Sequence, residues 1–506
     1  MSASKLQESG EVRIAHSLHM NEEEFVARRR ETVFQSMQKL KIHCSKDEVP
    51  NIALLGSGGG QRAMVGLLGS LVQLDKAGLL DCVLYLSGVS GSTWCMASLY
   101  KEPDWSTKLE TVKDQIIERL SGPGVSWGDA FAKLKKYHKK DFFSLTDVWA
   151  AIAITTYVKE IDELTLTDQW DHLSKDPFPI YTVIDKQCKK EKEKGGDPWF
   201  EISPLEAGYS LTGAFVETSS FGSKFENGSK KKPQDEMDML YLQEPKAPPA
   251  YKCYQVLIDL VEVNLAVLNG KDPSALVQTI KTTLEELGGG KNHLIIPGEK
   301  STLAEKQAAK FDVKKFTEHI LCLSICKCMT QWIWGRNYNF LHKMKNETVP
   351  PGLLKSETRD YIDAGLLLNS PYFSVLREER DIDLIISLDF SEGDPFMTVK
   401  KTQKLCEELN TPFPEVILRE KAKNPKDFYV FKGKNAATVI HMPLFNVVNC
   451  GDNIEAWRNK YDTIQGSYSR KKITDLMDIA GKKNISNNRE KLLEQIQAVI
   501  DQKRHK

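Results

Sequence analysis

Cys82-Val83-Leu84-Tyr85-Leu86 reads as a short apolar strand, and it runs straight into Ser87-Gly88-Val89-Ser90-Gly91-Ser92, after which Ser92 onward reads as helix. A serine between glycines, with a strand before it and a helix after it, is a nucleophile elbow of the G-x-S-x-G type. The glycines let the chain turn tightly enough to leave the Ser90 hydroxyl standing at the edge of a sheet. The helix that follows points its positive end at any oxyanion forming there.

One strand earlier, Asn51-Ile52-Ala53-Leu54-Leu55 leads into Gly56-Ser57-Gly58-Gly59-Gly60. Met64, Leu67, Leu68, Leu71 and Leu74 then recur at helical spacing up to Gly78, a plausible cap. Strand, helix, strand, helix within about fifty residues predicts a parallel α/β sheet. The two glycine-bearing loops then fall on one sheet edge, where bare backbone N–H groups of Gly59 and Gly60 can approach a substrate carbonyl. Gly58-Gly59-Gly60-Gln61-Arg62-Ala63 also satisfies the dinucleotide pattern G-x-G-x-x-A. That fold wants an acidic residue at the end of the second strand, and Ser87-Gly88-Val89-Ser90 stands there instead. A Walker loop fails for want of Gly-Lys-Ser/Thr. Arg62, directly after the glycines, suggests a substrate phosphate or carboxylate, or else a local carboxylate of the protein.

A serine hydroxyl needs a proton acceptor. Asp363, in Asp363-Ala364-Gly365 after the strand-like Asp360-Tyr361-Ile362, is the better carboxylate; Asp389 is the other. His441 completes a Ser, Asp, His order, but it sits within a strand-like run, Thr438 to Pro443, and reads as a satisfied sheet histidine. An acid with a pKa near 4 is a poor base unless its surroundings raise it.

Further strands are expected over 180–184, 199–202, 359–362, 383–388, 428–431 and 438–441. Helices are expected over 256–267 and from Leu476 to the end. Asn21 and Glu24 suggest a capping box for an amphipathic N-terminal helix carrying Val26, Val33, Phe34, Met37 and Leu40. The predicted organisation is an N-terminal helical arm over 1–50 packed on one catalytic domain over 51–506. Polar insertions near 222–236 and 287–310 read as surface loops or lids.

Across 506 residues, 69 Lys and Arg balance 69 Asp and Glu, with 41% hydrophobic and 27% charged residues. That balance excludes the basic field of a nucleic-acid binder, and the composition excludes general disorder. Ten cysteines are too sparse for a disulfide framework. Cys322, Cys326 and Cys328 read as thiols of a buried helix, with no metal site. The first thirty residues carry no apolar signal region, and the windows 142–158 and 320–335 fall short of a membrane span, interrupted by Asp147 and Lys327. With no prenylation box at the end, membrane contact is expected to be peripheral. The runs Lys133-Leu134-Lys135-Lys136 and Lys139-Lys140 are either contacts for anionic head groups or solvated helix faces.

Ser57-Gly58-Gly59-Gly60-Gln61-Arg62-Ala63-Met64, Gly88-Val89-Ser90-Gly91-Ser92-Thr93-Trp94 and Asp363-Ala364-Gly365-Leu366 together resemble the catalytic domain of the group IV cytosolic phospholipases A2, relatives of patatin. Trp199-Phe200-Glu201-Ile202-Ser203-Pro204 and the run from Leu384 to Ser391 extend the likeness, which covers the chain from about Arg28 onward. The resemblance implies a central, mainly parallel sheet flanked by helices, with lid-like insertions. It also implies a Ser–Asp dyad without histidine: Ser90 as nucleophile and Asp363 as base. Gly59 and Gly60 would be oxyanion donors, and Arg62 and, by position, Arg380 would face the substrate phosphate. Gln61 stands where relatives commonly have phenylalanine. Only fifty residues precede Asn51, too few for a calcium-dependent lipid-binding module, so the likeness is to the gamma-type branch. The expected activity is calcium-independent hydrolysis of fatty acyl esters of glycerophospholipids through an acyl-serine, needing no cofactor, in the cytoplasm with peripheral membrane association. A lysophospholipase or transacylase using the same dyad, or a catalytically silent lipid-binding scaffold, are the alternatives.

Overall fold

The computed structural model describes residues 12–170, 173, 175–190, 197–243, short pieces between 258 and 279, 312–419, 422–463 and 466–505. The insertion expected near 287–310 and most of the helix expected over 256–267 lie outside the described residues.

The strands are β1 (Arg13–Ile14), β2 (Ile52–Gly56), β3 (Tyr85–Gly88), β4 (Phe178–Asp185), β5 (Trp199–Ile202), β6 (Glu206–Tyr209), β7 (Ala214–Glu217), β8 (Lys224–Glu226), β9 (Ser229–Lys232), β10 (Arg336–Tyr338), β11 (Thr358–Asp363), β12 (Leu384–Asp389), β13 (Tyr429–Phe431) and β14 (Thr438–Pro443). All but β8 and β9 join one sheet in the order β1-β7-β6-β5-β4-β3-β2-β12-β14-β13, with β11 and β10 added beside β4. From β4 through β3, β2 and β12 to β14 every pairing is parallel, as the alternating strand and helix pattern predicts. Antiparallel strands extend this parallel centre on both sides. The chain passes from β2 to β3 on one side, and β12 enters later on the other. The winding of the sheet therefore reverses between β2 and β12.

Helix α2 (Gln61–Lys76) follows β2, and α3 (Gly91–Tyr100) follows β3. Periodicity predicted one apolar face for α2, yet every residue from Gln61 to Leu74 is buried. The helix Arg470–Ala480 covers its outer side, and the approach is so close that a Cβ on Gly69 would lie 2.7 Å from Met477 Cα. Two further expectations change. The 222–236 insertion is not a plain loop: β8 and β9 form a hairpin whose turn is Asn227-Gly228, both at positive φ, the signature of a tight two-residue turn. Helix α1 (Met20–Lys39) is capped by the His19 ring, which accepts from Asn21 N at 3.1 Å, rather than by an Asn21 box.

Helix α1 also buries a charge. Glu22 is fully buried and accepts from Arg380 Nε at 2.9 Å and Tyr85 Oη at 3.0 Å. Arg380 also donates to Glu201 at 2.8 and 3.1 Å, and Arg377 donates to the same carboxylate at 2.7 Å. Burial alone would raise the Glu201 pKa; Arg380 and Arg377 overcome it and hold the carboxyl at about 2. Its folded pKa lies below the ordinary value of 4.5, so its stabilising share is complete above about 4.5 and is lost as pH falls toward 2. Glu22→Ala would strand half of this buried network and is expected to lower unfolding free energy by ~3–5 kcal/mol in chemical denaturation. Unchanged stability would mean that the first helix is not anchored this way.

Candidate active site

Three strands meet at the site because β4 has two edges. β3 pairs with Phe178 to Tyr181 of β4, β11 pairs with Val183 to Asp185, and β5 pairs with Tyr181 to Ile184. β5 overlaps both of the others, so it occupies one edge and β3 and β11 share the opposite one. β3 runs parallel to β4 and β11 antiparallel, so their C-terminal ends face each other. Gly88 lies opposite Tyr181 and Asp363 opposite Val183, two residues apart along β4, or about 6.6 Å. Ser90, just past β3, and Asp363, the last residue of β11, are brought to one place.

Ser90 has φ 52° and ψ −122° at the N-cap of α3, a strained backbone for a side chain other than glycine and the conformation an elbow demands. Its pattern differs from the one read in the sequence, because the last position is Ser92, not glycine. The structure requires the glycine at 91 instead, where a Cβ would sit on the Gly60 carbonyl. Ser92 Oγ then donates to Ser57 O at 2.7 Å, tying the elbow to the glycine loop. Ser90 Oγ is buried and makes no hydrogen bond among the described residues. Asp363 is 2% exposed, and its Oδ1 accepts from Gly365 N at 2.7 Å, which orients the carboxyl. The two side chains flank one cluster. A Cβ on Gly58 would stand 3.1 Å from Ser90 Cβ and would overlap Asn369 Oδ1; one on Gly365 would stand 2.8 Å from that same Oδ1 and 3.1 Å from Asp363 Oδ1.

The glycine loop is clamped. Ser57 N donates to Leu388 O at 3.1 Å, Phe390 N donates to Ser57 Oγ at 2.7 Å, and Gly58 N donates to Asn369 O at 3.0 Å. Gly59 and Gly60 have φ of 159° and 58°, and neither N–H has a partner among the described hydrogen bonds. Gln61 is buried and accepts from Tyr468 N at 3.1 Å.

The two arginines are placed otherwise than expected. Arg62 is 1% exposed and donates through Nε to Phe390 O at 2.8 Å, through Nη1 to Tyr461 O at 2.5 Å and through Nη2 to Thr463 Oγ1 at 2.9 Å. Each nitrogen of its fork donates to the protein, so three of its five N–H groups are spent tying the start of α2 to Phe390, Tyr461 and Thr463. Arg380 lies at the far end of the sheet, where Asn51 Nδ2 reaches its carbonyl at 3.4 Å ahead of β2. Its guanidinium is consumed by Glu22 and Glu201, so it does not join Ser90 and Asp363.

His441 is buried in β14, and its Nε2 donates to Pro395 O at 2.6 Å. Burial lowers its pKa against the pull of Asp389 and keeps it neutral. Asp389, the alternative carboxylate, is raised by burial, and its Oδ1 accepts from Ser391 Oγ at 2.6 Å. The lysine run near 133–140 is largely spent internally: Lys133 pairs with Glu163 and Asp238, each at 2.6 Å, and Lys140 pairs with Asp147 at 3.1 Å. Cys328 is buried on the helix Asp312–Gln331 with its thiol on Phe143 O at 3.2 Å.

Asn369 is the polar residue the sequence reading overlooked. It follows the apolar run Leu366-Leu367-Leu368, six positions after Asp363, and a lone amide there is the signal that was available.

The family described as lysophospholipase catalytic domain matches residues 52–242, which holds the glycine loop and the elbow. Cytosolic phospholipase A2 gamma of Mus musculus is 32% identical, the alignment covering 96% of this chain and 92% of that protein. The gamma protein of Homo sapiens is also 32% identical, with 97% of each chain covered. Among solved structures, human GIVD cytosolic phospholipase A2 superposes with a TM-score of 0.72 at 23% identity over 97% of this chain and 68% of that one, a likeness of fold. A sequence aligned almost end to end with two such proteins at 32% identity, on a sheet shared with such a structure, places this chain in the cytosolic phospholipase A2 family.

Proposed function

We propose that this chain hydrolyses fatty acyl esters of glycerophospholipids through an acyl-serine intermediate, by a Ser–Asp dyad and without calcium. The observation that supports the reading is the head-on approach of β3 and β11 along one edge of β4, with Ser90 just past the end of one strand and Asp363 at the end of the other. In the proposed reaction Ser90 Oγ attacks the ester carbonyl carbon and its proton passes to Asp363. The oxyanion takes hydrogen bonds from Gly59 and Gly60 N–H. The carbonyl re-forms, the glycerol oxygen leaves with the proton from Asp363, and the acyl group stays on Ser90. Water then gives a proton to Asp363 and adds to the acyl-serine, and the fatty acid departs as Ser90 regains its proton.

The substrate comes from a lipid surface, so cytoplasmic enzyme with peripheral membrane contact fits this chemistry. Exposed Leu366, Met397, Val447 and Val448 follow β11, β12 and β14 on the sheet edge where the site opens or beside it. No helix among the described residues is long and apolar enough to cross a membrane. Lysophospholipids suit the same site, and the matching family's description as a lysophospholipase domain favours them as second substrates. Product analysis with a lysolipid acceptor separates hydrolysis from acyl transfer.

A fluorophosphonate probe in excess chelator is expected to label the protein at Ser90 alone, with phospholipid turnover undiminished. Folded protein that takes no label would make the chain a silent lipid-binding scaffold. Loss of turnover on chelation would overturn calcium independence.

A further inference from the structure

One side chain joins the two halves of the site. Asn369 Nδ2 donates to Gly58 O at 2.9 Å and to Ser391 Oγ at 2.8 Å, using both its hydrogens. Ser391 Oγ donates its own hydrogen to Asp389 Oδ1 at 2.6 Å, which leaves its lone pairs to accept from Asn369. The Asn369 backbone carbonyl receives Gly58 N at 3.0 Å, which closes a two-bond ring around the first glycine of the loop. Its remaining atom, Oδ1, faces Gly365 in the turn that orients Asp363. Few amides can meet such demands: two hydrogens toward the loop and β12, one lone-pair face toward the carboxylate turn.

We propose that Asn369 is the positioning residue of this site. It holds the glycine loop at its distance from the Asp363 turn, through a donor relay that ends on Ser391 and Asp389. The inference rests on the reading of Gly59 and Gly60 as oxyanion donors. Asn369 itself touches no reacting atom; it acts by fixing where the Gly59 and Gly60 N–H groups point relative to Ser90. Two of the three segments so joined lie more than 300 positions from Gly58 in sequence, so no local turn preference holds the loop in place.

The test is Asn369→Asp, which keeps the shape and reverses the donor. At neutral pH a carboxylate oxygen would face Gly58 O, acceptor against acceptor. Turnover and the rate of Ser90 phosphonylation by a fluorophosphonate are expected to fall ~10²-fold, with KM within about threefold and the thermal midpoint little changed. The introduced acid is flanked by Asp363 and Asp389, with His441 behind Asp389 and Arg62 behind the glycine loop. The two nearer carboxyls raise its pKa. Once protonated it regains one donor, so the variant's activity relative to wild type is expected to rise about fivefold or more between pH 8 and pH 5.5. A merely structural loss would show no such recovery. Ser391→Ala keeps the bond to Gly58 and removes the support behind it. It is expected to slow phosphonylation about 5–10-fold at unchanged affinity. Wild-type rates in both variants, or a loss independent of pH that tracks a lowered thermal midpoint, would overturn the inference while leaving a labelled wild-type Ser90 intact. A wild type that takes no label would remove the parent reading and this one together.

Discussion

Ser90→Ala is expected to end acyl release, a fall of ~10⁴-fold or more in turnover, and to leave the fold as stable as before or slightly more so. The second half of that expectation is the discriminating one. Ser90 Oγ is buried without a hydrogen-bond partner among the described residues, so its removal orphans nothing and relieves a desolvated hydroxyl, worth ~1 kcal/mol. Alanine is no worse than serine at φ 52°. A structural serine would behave in the opposite way, with activity and thermal midpoint falling together. Residual turnover above a few per cent in a well-folded variant would remove Ser90 as nucleophile.

Asp363→Asn is expected to cost ~10³-fold in turnover at an unaltered thermal midpoint, the range for loss of a positioned base. The asparagine oxygen can still accept from Gly365 N, so the turn is kept and only proton-accepting power is lost. His441→Ala is the matched control. It leaves Pro395 O without its donor and opens a cavity, so it should lower stability while sparing turnover per folded molecule. The reverse pattern, a tolerant Asp363 and an indispensable His441, would replace the dyad by a triad.

The sheet and the elbow were legible in the sequence because both rest on local signals. Apolar runs of four or five residues ended in glycine, and helical spacing followed each of them. What could not be read was anything decided by partners distant in sequence. Arg62 beside three glycines looks like a phosphate ligand until Phe390, Tyr461 and Thr463 arrive to occupy it. Arg380 looks functional until Glu22 and Glu201 close on it. Beyond a lone amide, Asn369 carries no local signal, because its two amide hydrogens are aimed at residues 311 and 22 positions away. The Asn227-Gly228 turn is a local signal for a hairpin, but the lysines around it have the composition of a solvated loop.

The shared edge of β4 makes that strand a gauge. One residue, Thr182, stands between the position that meets Gly88 and the position that meets Asp363. Deleting or duplicating a single residue there would change the gap between the two advancing chain ends by about 3.3 Å and turn one of them toward the opposite side. Length variation in loops away from β3, β4 and β11 leaves this gap alone, whereas at Thr182 it would part Ser90 from Asp363, the proposed nucleophile and base, in an otherwise intact sheet.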